Sequence, residues 1–391
     1  MTILFYRYGN ICEPDLINAF QNFGITVEEE TTEMSDKNLS PAKCVELMSH
    51  SLEALHPLFV FSVNFFPAIA EVCYLYKVLY LCWTVDSPVP ELFSKSILHD
   101  TNRIFLFDRA QYDDFAPFNP NCIFHLPLAS CTERFDKVTS SISDPDRTKY
   151  SSDISFVGSL YTEKNRLHCL SALPDYISGY INGIVEASLK VYGYNFMEDI
   201  LTDDVVNSIR TADSSFFSLE NTVAAPERYV AAHEYIGIQA AETERIRTLN
   251  KLAEHFPVDL YTRSDSSPLK GVRVHDGIRT LTEMPKVFHL SKINLNMTIR
   301  PIQTGLPLRI FDILGCGGFL MTNYQQELTD LFEIGVDLEA YASLEELVDK
   351  CSYYLTHDKE RQAIAANGYQ KVKEEHTYQK RLTEMLRRVS G

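Results

Sequence analysis

The sequence predicts an α/β protein with two doubly wound parallel sheets, and three observations carry that prediction. Short, continuously apolar runs alternate with amphipathic helical patterns, as strands buried on both faces alternate with crossover helices. The alternation occurs twice, before residue 131 and again from residue 153. Between the two rounds the apolar density collapses, as in Thr139-Ser140-Ser141-Ile142-Ser143-Asp144-Pro145, which reads as a linker. A chain of 391 residues also exceeds one ordinary core, at about 150 residues per domain. The expected division is 1–135, a linker at 136–152, 153–375, and a terminal segment 376–391 that packs back on the first domain.

In the first round, Thr2 to Tyr6 reads as a strand ending at Gly9-Asn10, and Glu13 to Phe23 as an amphipathic helix stopped by Gly24. Strands are expected at Leu58 to Ser62, Val78 to Trp83, Arg103 to Phe107 and Cys122 to Leu126, with a helix at Pro67 to Tyr76. The second round opens with the strand Asp153 to Val157, ending at Gly158-Ser159. A mostly helical insertion follows from about 163 to 256, with Glu242, Glu244, Arg245 and Arg247 on a solvated face and His233 in the same helical setting. Further strands are expected at Pro257 to Tyr261, Val272 to Val274, Lys292 to Asn296 and Gly318 to Thr322. The chain ends in helices at Leu344 to Leu355, Lys359 to Tyr369 and Tyr378 to Arg388.

Composition excludes several classes. Lys and Arg total 36 against 53 Asp and Glu, a formal charge of −17, which disfavours nucleic acid and anionic lipid as partners. The nine cysteines form no Cys-x-x-Cys pair and no zinc-finger spacing, as expected of reduced thiols in a cytoplasmic protein. The start carries neither a basic n-region nor a long apolar stretch, so no signal peptide is expected. The most apolar window, Leu58 to Trp83, is interrupted by Asn64, Pro67, Glu71 and Lys77, so no membrane span is expected. No Walker loop, His-Glu-x-x-His motif or Ser-His-Asp order appears. The lack of Gly-x-Gly-x-x-Gly after the first strand argues against a dehydrogenase.

In open α/β sheets ligands sit beyond the carboxyl ends of the strands, so the residues just after each strand are the candidates. The densest such region runs from Thr298 to Gly318. A Gly305-Leu306-Pro307 turn feeds a short helix, and Gly315, Gly317 and Gly318 close it. Free amides at a helix start bind phosphate, a nearby Arg309 adds charge, and Asp312 one turn inside is placed to hold a ribose diol. The same residues also suit a tight turn, a surface arginine and an acid that complements the helix dipole. Arg300 is a second phosphate candidate, or equally a surface arginine. In the first domain Asp86 stands after Tyr80-Leu81-Cys82-Trp83 and before Ser87-Pro88, placed to act as general base or simply to cap the turn. Gly9 and Asn64 occupy matching positions after their own strands.

The block Gly305 to Tyr324 resembles the donor site of GT-B glycosyltransferases. More narrowly it is similar to the bacterial spore-maturation-protein-like (CgeB-like) group with a group 1 transferase C-terminal domain. Trp83-Thr84-Val85-Asp86-Ser87-Pro88, Asp153 to Tyr161 and Leu290 to Asn296 fit the same group, so the resemblance spans nearly the whole chain. It implies two Rossmann-like domains facing across a cleft, the second binding a nucleotide diphosphate sugar (a UDP-sugar favoured) and the first presenting the acceptor. It further implies that Arg309 neutralises the donor diphosphate, Asp312 holds the ribose, and Gly158-Ser159 lets the diphosphate approach the backbone. The carboxylate that relatives carry eight positions before Asp312 is here Thr304, so Gln303-Thr304-Gly305 would supply hydrogen bonds instead. Tyr261-Thr262 and Asp276-Gly277 fall where this architecture surrounds the nucleobase, Tyr261 either stacking on the base or, as 21 Tyr and 23 Phe residues favour for any one ring, serving the core.

The expected activity is therefore a hexosyl- or N-acetylhexosaminyl-transferase acting on a glycan or protein acceptor, without an obligatory metal or other cofactor. Homo-oligomerisation is left open. A nucleotide-sugar epimerase and a catalytically inert transferase-like scaffold are the alternatives. Against the acidic background, residues Lys371 to Arg388 are locally basic, suiting a last helix that returns to an acidic first domain.

Overall fold

A computed structural model describes residues 1–37, 39–170 and 173–390. The chain divides into two compact units. Unit 1 is built from Met1–Leu128, Ser218–Pro226 and the terminal segment from Tyr378, and unit 2 from Ala129–Phe217 and Glu227–Thr377. Each holds a six-stranded parallel sheet.

The sheet of unit 1 comprises β1 (Thr2–Tyr6), β2 (Thr26–Glu30), β3 (Phe59–Val63), β4 (Leu79–Trp83), β5 (Asn102–Leu106) and β6 (Ile123–His125), in the order β2-β1-β3-β4-β5-β6. The winding direction reverses between β1 and β3, which sets the switch point there. Phe5, Phe20 and Phe61 are fully buried, with ring centroids of Phe5 and Phe61 and of Phe20 and Phe61 both 5.1 Å apart. The helix Tyr378–Ser390 packs on the helix Glu13–Asn22. Its Tyr378 ring meets Trp83 edge-on at 6.1 Å, and Arg381 Nε donates to the Pro127 carbonyl at 2.7 Å. Residues Ser218–Pro226 join this unit through Lys95 N–H to Asn221 C=O and Val223 N–H to Phe93 C=O, both 2.8 Å.

The sheet of unit 2 comprises β7 (Ser152–Val157), β8 (Val258–Tyr261), β9 (Arg273–His275), β10 (Ser291–Asn296), β11 (Leu320–Asn323) and β12 (Glu339–Tyr341), in the order β12-β11-β10-β7-β8-β9. Its switch point lies between β7 and β10. The insertion holds the helices Asp175–Ser188, Asp203–Ala212 and Gly237–Ala253, the last preceded by a π-helical turn at Ala231–Ile236.

One expectation needs correction, and two strands went unexpected. The stretch at 136–152 is no loose linker: it holds the helices Thr132–Ser140 and Asp144–Tyr150, both within unit 2. Ser143 and Asp146 form a reciprocal capping box, which starts a helix without an apolar stripe. Phe135 and Tyr150 are buried, Tyr150 O–H donates to Glu283 at 2.8 Å, and Lys286 pairs with Asp146 at 2.9 Å. β2 and β12 also escape the sequence pattern. β2 (Thr-Val-Glu-Glu-Glu) is an acidic edge strand paired only with β1, and β12 has three residues.

Candidate functional site

The unit 2 switch point gathers the strongest candidates. β7 ends at Gly158, whose N–H donates to the Tyr261 carbonyl at 3.1 Å. The Ser159 hydroxyl accepts from Tyr161 N–H at 2.7 Å and donates to Glu163 Oε1 at 2.8 Å. These bonds hold Tyr161 at φ 69°, a left-handed conformation that a bulky residue keeps only when its surroundings impose it. On the other side of the switch point, the loop after β10 leads to the helix Leu308–Gly315. No side chain caps that helix, and its first turn holds no acid. Its early amides and positive dipole end therefore remain available to an anion.

Arg245 spans the two strands. Its guanidinium donates to the Ser159 carbonyl after β7 (2.6 Å) and to the Met297 carbonyl after β10 (2.8 Å), and it lies over the Tyr161 ring at 4.6 Å. Arg309, in the first turn of Leu308–Gly315, lies over the Phe288 ring at 5.3 Å and meets Met284 Sδ. Burial lowers the pKa of both arginines, and that of Arg309 is lowered further by the like charge of Arg245 and supported by Asp312. Among the described residues neither arginine has a carboxylate within ion-pair distance. Two partly desolvated cations without an ion-paired carboxylate are favoured by a nearby anion, and a doubly charged ligand would supply one. Asp312, 8% exposed, sits one turn on.

The loop carrying Gln303, Thr304 and Gly305 is fastened from behind by the segment after β11. Thr304 O–H donates to Glu327 Oε1 at 2.9 Å, Glu327 N–H returns a bond to the Thr304 carbonyl at 3.2 Å, and Gln325 Nε2 donates to the Ile302 carbonyl at 3.0 Å. Glu327 is 3% exposed, so an acid lies beneath the position where the sequence shows threonine.

Other expected positions differ. Arg300 is turned away from the switch point: its guanidinium pairs with buried Glu244 at 3.3 Å, donates to the Val191 carbonyl at 2.8 Å and covers the Tyr192 ring. A phosphate there would have to displace an acid already in place. Tyr261 is buried and stacked on His275 at 4.6 Å, with its hydroxyl pushed up to about 12 by burial, so it offers no free ring face. Thr262 is buried and accepts from Ser264 N–H at 3.1 Å. Asp276 is exposed beside Gly277, where an added Cβ would come within 2.5 Å of Arg263 Cγ. Glycine is required there for the arginine stem to pass.

The helix Gly237–Ala253 is not the solvated face expected. It packs against β8 and the helices Asp175–Ser188 and Leu344–Thr356, and Glu242 and Glu244 are buried, as is His233 in the preceding π-turn. Each finds a partner: Glu242 with His168 at 2.8 Å, Glu244 with Arg300, and His233 with Glu198 at 2.7 Å. Arg247 alone keeps the expected exposure, paired with Glu186. Arg245 is thus the candidate that sequence reasoning missed. A run of charges at 242, 244, 245 and 247 fills both faces of a helix, a sign that part of it is buried.

A second polar constellation lies at the unit 1 switch point, and it unites Gly9, Asn64 and Asp86. Asn64, at φ 60°, is the bracket. Its Oδ1 accepts from Val85 N–H at 2.9 Å, and its Nδ2 donates to Tyr8 Oη at 2.9 Å and Asp86 Oδ2 at 2.7 Å. Asp86 is exposed. Gly9, at φ 95°, makes the turn after β1, and its N–H is held by Glu13. Glu13 is 0% exposed: Oε1 accepts from Tyr8 N–H and Gly9 N–H at 3.0 and 3.1 Å, and Oε2 meets Arg7 Nε at 3.1 Å.

Residues 244–387 match a family model described as "Glycosyl transferase-like". No curated protein sequence matches the chain. Solved structures of similar fold include the Anabaena protein HepE in complex with UDP and glucose, 10% identical with a TM-score of 0.53, covering 100% of this chain and 99% of that one. Sucrose-phosphate synthase from Thermosynechococcus elongatus is 10% identical with a TM-score of 0.54, covering 100% of this chain and 99% of that one. A UDP-forming α,α-trehalose-phosphate synthase from Burkholderia xenovorans is 11% identical, again with a TM-score of 0.54 and coverage of 100% and 99%. Among the described residues no helix is long and apolar enough to cross a membrane. The chain thus has the two-sheet architecture of the GT-B glycosyltransferases and matches a glycosyl transferase-like family model over residues 244–387.

Proposed function

We propose that the protein is a cytoplasmic glycosyltransferase of the spore-maturation-protein-like group, moving a sugar from a UDP-sugar to a hydroxyl of a glycan or protein. The observation that carries the reading is the pair of half-buried guanidiniums, Arg245 and Arg309, without carboxylate partners among the described residues at the unit 2 switch point. A nucleoside diphosphate brings the charge that such a pair lacks. HepE, solved with UDP and with UDP-glucose, supports UDP as the nucleotide.

In this reading Arg245, Arg309 and the first amides of Leu308–Gly315 hold the diphosphate, and Asp312 accepts from the ribose diol. Gly158-Ser159 and Gln303-Thr304-Gly305 line the approach, and Thr262, Asp276 and Gly277 border the base. Two arginines and a helix dipole stabilise the departing charge without an obligatory metal. The acceptor oxygen bonds to the anomeric carbon as the bond from that carbon to the diphosphate oxygen breaks. UDP leaves with the bonding pair, and the hydroxyl proton passes to the Asp86 carboxylate. A base of this kind favours inversion at the anomeric carbon.

Calorimetry with UDP and a donor screen over UDP-hexoses and UDP-N-acetylhexosamines test the reading. UDP should bind and one donor should be turned over, with Asp86→Asn cutting kcat by about 10²–10⁴. Absence of UDP binding favours the inert scaffold, and an epimerised donor recovered without acceptor favours the epimerase.

A further inference from the structure

Resting on that transferase reading, we propose that the acceptor is a neutral, unphosphorylated saccharide or polyol, recognised at the unit 1 switch point by the Tyr8 hydroxyl and the Asp86 carboxylate. The first argument concerns what this edge refuses. In a doubly wound sheet, the turn after the first strand and the start of the next helix form the natural seat for a phosphate. Here the chain fills that seat with its own anion. Glu13, at the first position of the helix Glu13–Asn22, takes the amides of Tyr8 and Gly9 with its carboxylate. The cations beside the turn are engaged as well: Arg7 with Glu13 and Glu29, and Lys37 with the Tyr8 carbonyl. A second acid, Asp15, adds to the first turn of the helix, and Asp86 stands across the switch point. A phosphate brought here meets negative charge and finds the Tyr8 and Gly9 amides already taken.

The second argument concerns what the edge offers. Tyr8 Oη accepts hydrogen bonds from Asn10 Nδ2 at 2.8 Å and Asn64 Nδ2 at 2.9 Å, which uses both its lone pairs. Its proton has no acceptor among the described residues, so the hydroxyl is held as a donor. Burial and the nearby Asp86 charge raise its pKa, which keeps that proton in place. Asp86 Oδ2 accepts from Asn64, while Oδ1 has no protein donor among the described residues. Asn64 therefore holds one donor and one acceptor together in a fixed arrangement. Neighbouring hydroxyls of a sugar, each donating and accepting, match that pair, and the Phe66 ring 5.5 Å from Tyr8 adds an apolar flank.

The test uses the full chain and the UDP-sugar selected by the donor screen. Transfer is measured to glucose, fructose, maltose and cellobiose, and in parallel to glucose 6-phosphate and fructose 6-phosphate. At least one neutral saccharide should accept, with kcat/KM at least about tenfold above any phosphorylated one. Tyr8→Phe, which keeps the ring against Phe66, should raise the acceptor KM about tenfold and leave UDP affinity unchanged, a pattern that a purely structural role would not produce. Preference for a phosphorylated sugar, transfer to no neutral member, or an unaltered KM in Tyr8→Phe each overturns the proposal. UDP calorimetry separates the two levels: without UDP binding the transferase reading itself falls, whereas UDP binding with no neutral acceptor overturns only this inference.

Discussion

The two units present the same topological feature with opposite electrostatic endings. At the β1/β3 switch point the first helical residue is Glu13, and its carboxylate satisfies the amides of the turn from within the chain. At the β7/β10 switch point the first helical residue is Leu308, the first turn has no acid, no side chain caps it, and the half-buried Arg245 and Arg309 interact electrostatically. A parallel sheet builds an anion seat by geometry alone. Whether that seat serves a ligand or a structural bond depends on one side chain and its partners. In this protein unit 1 closes the seat and unit 2 leaves it open.

The sharpest way to break that contrast is to remove the cations of unit 2. Arg245→Ala with Arg309→Ala should weaken UDP binding at least about 10³-fold by calorimetry, roughly 4 kcal/mol, since charge-assisted contacts to the diphosphate disappear. Wild-type affinity in the double variant would end the assignment of the donor site. Next, Glu13→Ala should destabilise the chain by about 3 kcal/mol in denaturant unfolding, because two amides and Arg7 lose a buried partner. A loss below about 1 kcal/mol would mean that water replaces the carboxylate and the seat is not closed. Leu308→Glu copies the unit 1 arrangement into unit 2, and UDP affinity should fall about thirtyfold with the fold intact by circular dichroism. The smallest effect tests the corrected linker: Ser143→Ala should cost about 1 kcal/mol through loss of the capping box. No change there would mean that the helix Asp144–Tyr150 is held by its tertiary contacts alone.

Much of the fold was legible because buried parallel strands announce themselves as apolar runs. Thr2–Tyr6 and Pro67–Tyr76 fall where the pattern places them. What stayed hidden was of two kinds. β2 carries three consecutive glutamates, since an edge strand is free to be charged, and the helix Asp144–Tyr150 depends on a cap rather than on a stripe. In the candidate sites, position after a strand drew attention to Gly158 in unit 2 and to Gly9, Asn64 and Asp86 in unit 1, whereas the donor roles of Arg309 and Asp312 rest on the family resemblance and stay proposals. Arg300 is buried and paired with Glu244, and Arg245, expected on a solvated face, donates to the Ser159 and Met297 carbonyls.

By itself, the sequence determined the α/β class, most strands and helices, and the turns that bring functional residues to strand ends. Those features follow from local periodicity and from the backbone preferences of glycine and proline. Only the tertiary structure decided which charges are desolvated and which are answered. Arg245 reaches the Ser159 carbonyl 86 residues away, and Arg300 reaches Glu244 across 56. The free energy of a charge depends on what surrounds it in space, and a composition of −17 carries no information about the partners of any one arginine.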